Sequence, residues 1–149
     1  MLESEYWVVG IVSMLAIGIC VVLHYEGLRL LSDHLPRFKH HQRRRIILLI
    51  LALLFLHSLE IWIFGLSYFG LMQFDGFGDL LGQPADRLVD IVYYSAAVYT
   101  TVGFGDIHPV GALRTMTGME AVTGLTLITW SASYTFLEMN KTWNRDDAS

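Results

Sequence analysis

Apolar residues run without a charge from Tyr6 to Leu23 and resume through Leu28, Leu30 and Leu31, which predicts a helix of membrane length over residues 6–31. A second run, 46–72, is interrupted among acids and bases only by Glu60, with His57 and Ser58 beside it, and is long enough to span with tilt. A third, 115–137, carries the single charge Glu120. Between the second and third lies an apolar and aromatic stretch, 88–100, which as a helix of about 13 residues reaches only about 20 Å. A bilayer core is about 30 Å thick, so this segment is expected to be re-entrant.

The polar segments between these runs are short. Residues 32–45 form a basic loop with Pro36, Arg37, Lys39, Arg43, Arg44 and Arg45, in which His34, His40 and His41 are interspersed or adjacent. Residues 73–87 read as a solvent-exposed turret with three glycines, Pro84 and the acids Asp75, Asp79 and Asp86, and 139–149 as a polar tail. Each falls well below the roughly 50 residues at which a separate domain begins, so no fused nucleotide-binding or ligand-sensing domain is expected. The chain is 54% hydrophobic and 16% charged. Its mean hydropathy is +0.47, which points to lipid as the solvent. The expected fold class is an all-α membrane protein with three transmembrane helices plus a re-entrant helix. Cys20 is the only cysteine, which excludes an intrachain disulfide framework and a thiolate zinc site.

Charge sets the expected orientation. Arg29, Arg37, Lys39, Arg43, Arg44, Arg45, Lys141 and Arg145 fall on one side of this topology, and only Arg87 and Arg114 on the other. The positive-inside rule then places the first loop and the C-terminus in the cytoplasm and the N-terminus outside, in a plasma or bacterial inner membrane. Glu3 and Glu5 stand where a secretory signal would be basic, so residues 1–31 are expected to be an uncleaved anchor.

The chemistry concentrates in Thr100, Thr101, Val102, Gly103, Phe104, Gly105 and Asp106, followed by Pro109. Irregular backbone at membrane depth is tolerated only beside protein or a water-filled path, so this stretch is expected to line a pore. A strand whose carbonyls all face one side must alternate between right- and left-handed backbone, and Gly103 and Gly105 take left-handed positions at no steric cost. Successive carbonyl rings, closed by the Thr101 hydroxyl, replace the hydration shell of K+, giving ion sites at Thr101, Val102, Gly103 and Phe104. One chain supplies one oxygen per ring, so a fourfold homotetramer is expected. The short helix before the loop aims its negative C-terminal end at the axis.

The run Tyr93, Tyr94, Ser95, Ala96, Ala97, Val98, Tyr99 and on through Thr101 to Asp106 closely resembles the pore helix and signature filter of tetrameric potassium channels. Arg114 resembles the start of their inner helix, and Gly124 the glycine at which family members bend to open. The resemblance implies a pore domain over 46–138: outer helix 46–72, turret 73–87, pore helix 88–100, filter 101–106 and inner helix 112–138. By position, Thr101, Val102, Gly103, Phe104 and Gly105 would supply the filter oxygens. Asp106 would sit behind the outer mouth, with Tyr93 and Tyr94 as an aromatic cuff and Thr100 as further support. Two positions depart from the pattern: Phe104 replaces the usual tyrosine, and Ala97 stands where some bacterial members carry a carboxylate. Such a protein is a potassium-selective channel and not an enzyme, with K+ in the filter and no organic cofactor or nucleic acid. A non-selective cation channel is the alternative within the class.

Several residues keep two readings. Gly124 serves either as a gating hinge or as a small residue allowing close packing, a role for which Gly118 competes. Ile128, Ala132 and Phe136 share a helical face that suits either an inner cavity or lipid, with Phe136 as a candidate gate. Glu60 and Glu120 fall at similar depth; if they meet, they form a candidate proton sensor, and otherwise each bonds separately to a pore-helix hydroxyl such as Tyr94, Ser95 or Tyr99. His24 and His57 lie on adjacent helices and raise the alternative of a haem-binding redox protein. The first helix has no arginine ladder, which excludes a steep voltage sensor, and leaves it to pack on the outer helix or recruit a regulatory subunit. Arg43, Arg44 and Arg45 either bind anionic lipid headgroups or serve only to set topology.

Overall fold

The computed structural model describes residues 2–34, 42–82 and 87–146. The chain runs α1 (Leu2–His34), α2 (Gln42–Leu71), β1 (Leu80–Gly82), α3 (Leu88–Tyr99), β2 (Ile107–Pro109) and α4 (Leu113–Asp146). Among the described residues two helices are long and apolar enough to cross a membrane, Ser4–His34 and Arg44–Leu71, each holding an 18-residue stretch with a mean hydropathy of 2.5. Their apolar residues go all the way round, and large ones stay uncovered, with Trp7 72%, Leu15 62% and Phe55 65% exposed. Surfaces of that kind belong in lipid or against another apolar surface rather than in water.

Helix α4 has 34 residues but a more polar composition than α1 and α2. Much of that polarity is concealed. The hydroxyls of Thr117, Thr123, Thr126 and Thr129 each donate to the carbonyl four residues earlier at 2.7–3.0 Å. A threonine so bonded presents a methyl group and little unsatisfied polarity, which hydropathy scales do not record.

Short α3 packs against α2 and α4. Asp90 sits in its first turn, where the helix dipole favours a negative charge. The core gathers Phe64 and Tyr68 from α2, Ile91 and Tyr94 from α3, and Leu113 and Met116 from α4. A second cluster joins Leu28 of α1 to Leu49, Leu53 and Leu56 of α2.

Four expectations about the elements are corrected. Helix α2 begins at Gln42 rather than 46, so Arg43, Arg44 and Arg45 lie in its first turns and not in a loop. Arg45 is ion-paired with Glu138 of α4, both side chains being largely buried. Helix α4 continues past 138 to Asp146, so most of the stretch expected as a polar tail is helical. The turret is not purely irregular: β1 pairs antiparallel with β2, Leu80 opposite Pro109, Leu81 opposite His108 and Gly82 opposite Ile107. The all-α expectation missed this sheet because three-residue strands are too short to carry an alternation signal. Pro36, Arg37, Lys39, His40, His41, Pro84 and Asp86 lie outside the described residues.

Candidate ion-conduction site

Helix α3 ends at Tyr99, and the backbone then turns back on it. The Thr100 N–H donates to the Ala96 carbonyl, Thr101 N–H to Val98 and Gly103 N–H to Ala97, at 3.1, 2.9 and 3.0 Å. Amides thus point toward the helix end. Thr101, Gly103 and Gly105 have φ of 59°, 54° and 81°, so alternate residues are left-handed through the loop. For the two glycines this is free; for Thr101, the only non-glycine with positive φ among the described residues, it costs of the order of 1–3 kcal/mol. Residues 100–106 are exposed in the single chain.

Around this loop the aromatic residues divide their work. The Tyr93 ring stacks on Phe104, centroids 6.2 Å apart and planes 4° from parallel. Its hydroxyl donates to Asp106 Oδ2 at 2.9 Å. The C-terminal end of the loop is therefore tied to α3 through Tyr93, although Phe104 has no hydroxyl of its own. Tyr94 points the other way, its hydroxyl 2.7 Å from Thr117 Oγ1 of α4 and its ring edge-on to Tyr68.

Glu60 and Glu120 are both fully buried, and they do not meet. Glu120 accepts from the Tyr68 hydroxyl at 2.7 Å and from Ser95. Glu60 accepts from Tyr99, and His24 and His57 sit at its two oxygens at 2.8 and 2.9 Å. The paired-carboxylate proton sensor is therefore corrected in favour of the other reading: each acid bonds separately to a pore-helix hydroxyl, Glu60 to Tyr99 and Glu120 to Ser95. Tyr68 and Ser131 were not foreseen in this network. A buried acid in an apolar run demands donors, and the pore-helix hydroxyls Ser95 and Tyr99 were expected among them; those that come from α2 and α4 were not.

The haem alternative fails on the same geometry. The two imidazoles are in contact, ring centroids 5.4 Å apart. His24 Nδ1 is on Glu60 and its Nε2 on Ser131, while His57 Nδ1 is on Glu60 and Tyr99 and its Nε2 on Ser131. A porphyrin plane has no room between rings so placed.

Gly124 packs beneath the end of α3, whereas Gly118 has nothing within 4 Å of a β-carbon built on it. Ile128 packs against the core, whereas Ala132 is exposed and Phe136 is 62% exposed. Cys20 is buried, its thiol 3.9 Å from the Glu60 carbonyl oxygen.

A short helix ending at a loop of alternating handedness, set between apolar helices, defines a membrane pore protein. A family model described as an ion channel matches residues 45–140, and the chain belongs to that family, the potassium-channel pore domains. It is accordingly an ion-channel protein and not an enzyme. No curated protein and no solved structure matches it.

Proposed function

We infer that the protein is a potassium-selective channel in which four copies each contribute the backbone of Thr101 to Gly105 to a common axis. The observation that carries this reading is the alternation of positive φ at Thr101, Gly103 and Gly105. With amides turned back toward α3, this alternation leaves successive carbonyl oxygens free to aim in one direction, the requirement for replacing a K+ hydration shell. The exposure of residues 100–106 in one chain supports closure by further copies, because a polar backbone left uncovered inside a membrane is costly.

In the assembled channel, ions occupy rings at Thr101, Val102, Gly103 and Phe104, and Asp106 sits at the outer mouth. Helix α3 directs the negative end of its dipole toward the conduction path below the filter. Helices α1, α2 and α4 cross the bilayer, with the N-terminus outside and the α1–α2 connection and the end of α4 in the cytoplasm. Hydroxyl-rich α4 is the helix nearest the water-filled path, with Phe136 toward its inner end as the gate. Arg44, exposed at the start of α2, meets anionic headgroups.

The test is the reversal potential of purified protein in a planar bilayer with potassium on one side and sodium on the other. A value far from zero toward the potassium equilibrium is expected. Measurable current reversing near zero would overturn potassium selectivity and leave a non-selective cation pore.

A further inference from the structure

His24 of α1, His57 and Glu60 of α2, and Ser131 of α4 form a closed ring of side chains. Glu60 Oε1 lies 2.8 Å from His24 Nδ1, and Glu60 Oε2 lies 2.9 Å from His57 Nδ1. On the far side, Ser131 Oγ lies 3.3 Å from His24 Nε2 and 3.0 Å from His57 Nε2. The Tyr99 hydroxyl donates to Glu60 and also lies 3.0 Å from His57 Nδ1, without adding a proton to the four contacts of the ring. With Glu60 as a carboxylate, two neutral imidazoles and one serine hydroxyl bring three protons to four contacts. One contact therefore lacks a proton, and a cation is needed to complete the ring.

The orientation of the rings says what kind. Both Nδ1 atoms turn toward the carboxylate and both Nε2 atoms toward one hydroxyl. If a metal ion takes the two Nδ1 atoms and a Glu60 oxygen, both imidazoles carry their proton on Nε2. Ser131 Oγ then accepts both, using its two lone pairs, and every contact is satisfied. A metal-bound histidine ordinarily donates its other N–H to an oxygen in this way. One nitrogen from each imidazole and one carboxylate oxygen all lie within 4.8 Å of one another. Tetrahedral Zn2+, with bonds of about 2.0–2.2 Å, needs ligand atoms about 3.3 Å apart, so an imidazole's present N···O contact with Glu60 opens by a few tenths of an ångström while the other spacings, all within 4.8 Å, draw in toward that value.

We propose that His24, His57 and Glu60 form a binding site for a Zn2+-class metal ion, with Ser131 orienting both imidazoles. Two imidazoles and a carboxylate are the donor set of a borderline cation, and they disfavour Ca2+ and Mg2+, which take all-oxygen shells. His24 and Glu60 are fully buried, while the His57 side chain is 15% exposed and gives the ion its way in. The site joins α1 to the pore: Glu60 holds the Tyr99 hydroxyl, and Tyr99 lies two residues before Thr101.

The test uses Co2+ as a visible probe on the full-length protein in detergent, with Zn2+ as competitor. Intense ligand-field bands of a tetrahedral nitrogen–oxygen site are expected, saturating at one ion per chain and abolished by Zn2+. They should vanish in His24→Ala, and Ser131→Ala, the milder change, should weaken binding about 10- to 100-fold. Replacing His34, His40, His41 and His108 together with alanine should leave the bands intact. No bands in wild type, bands that survive His24→Ala, or bands lost with the other four histidines would overturn the site. Unchanged Co2+ affinity in Ser131→Ala would overturn the orienting role. A chain in which a proton alone completes the ring gives the first of these results.

Discussion

A β-carbon built on Gly124 would stand 2.0 Å from the carbonyl oxygen of Tyr99, so α4 meets the C-terminal end of α3 backbone to backbone. That contact gives Gly124 a packing function independent of any bending of α4. Gly124→Ala must push α3, and with it the loop that follows, away from α4. Overpacking of this kind costs about 1–3 kcal/mol, and here the obstructing atom is backbone and cannot rotate aside. Gly118→Ala, with open space around it, is expected to be neutral or to gain up to about 1 kcal/mol from helix propensity. Thermal denaturation of the two variants in the same detergent checks the contrast, and equal melting temperatures would refute it.

Handedness, not space, governs Gly103. Nothing lies within 4 Å of a β-carbon there, yet its φ is 54°. An L-residue in that region costs about 1–2 kcal/mol, incurred four times in a tetramer. Gly103→Ala is therefore expected to abolish selective K+ flux from liposomes, while D-alanine at the same position, introduced by chemical ligation, preserves it. Survival of flux with L-alanine would refute the filter assignment.

Much of this arrangement was legible in the sequence, for identifiable reasons. Long apolar runs with few charges placed α1 and α2 to within a few residues, and α3 was bounded by its shortness. The left-handed loop positions could be read from Gly103 and Gly105, but Thr101 could not, because threonine resists positive φ and only the surrounding structure enforces it. The β1–β2 pairing escaped because its strands are three residues long. The start of α2 was misplaced because Arg43, Arg44 and Arg45 read as a loop by charge alone, whereas Arg45 is drawn into the helix bundle by Glu138, a partner 93 positions away. Partners of buried acids are a tertiary property. The pore-helix hydroxyls Ser95 and Tyr99 could be named as donors from their place beside the two glutamates, whereas Tyr68, His24 and Ser131, which come from other helices, could not.

Tyr93 is the link between the C-terminal end of the loop and α3. Its hydroxyl donates to Asp106, and its ring stacks on Phe104. Because Tyr93 is 41% exposed, water competes for this bond, and its loss is expected to loosen the loop only modestly. Tyr93→Phe keeps the stack and removes only the bond. A double-mutant cycle with Asp106→Asn, scored by the K+ concentration that protects the proposed tetramer from heat, should show coupling. Additive effects would mean that the bond does not support the loop.

Adjacent arginines should separate by function. The Arg45 side chain is 12% exposed and paired with Glu138, itself 5% exposed, whereas Arg44 is exposed. Removing one partner of a buried pair costs about 3–5 kcal/mol when the other is left uncompensated. Lys141 also reaches Glu138, at 2.7 Å, so Arg45→Gln is expected to lie below that range while still lowering the melting temperature clearly. Arg44→Gln should leave stability unchanged and weaken association with anionic lipid by about 1 kcal/mol, the contribution of one basic residue near a charged surface. Native mass spectrometry of bound phosphatidylglycerol, alongside thermal denaturation, separates the two effects. The reverse pattern, lipid loss with Arg45→Gln and destabilisation with Arg44→Gln, would show that the pair with Glu138 does not hold α2 to α4.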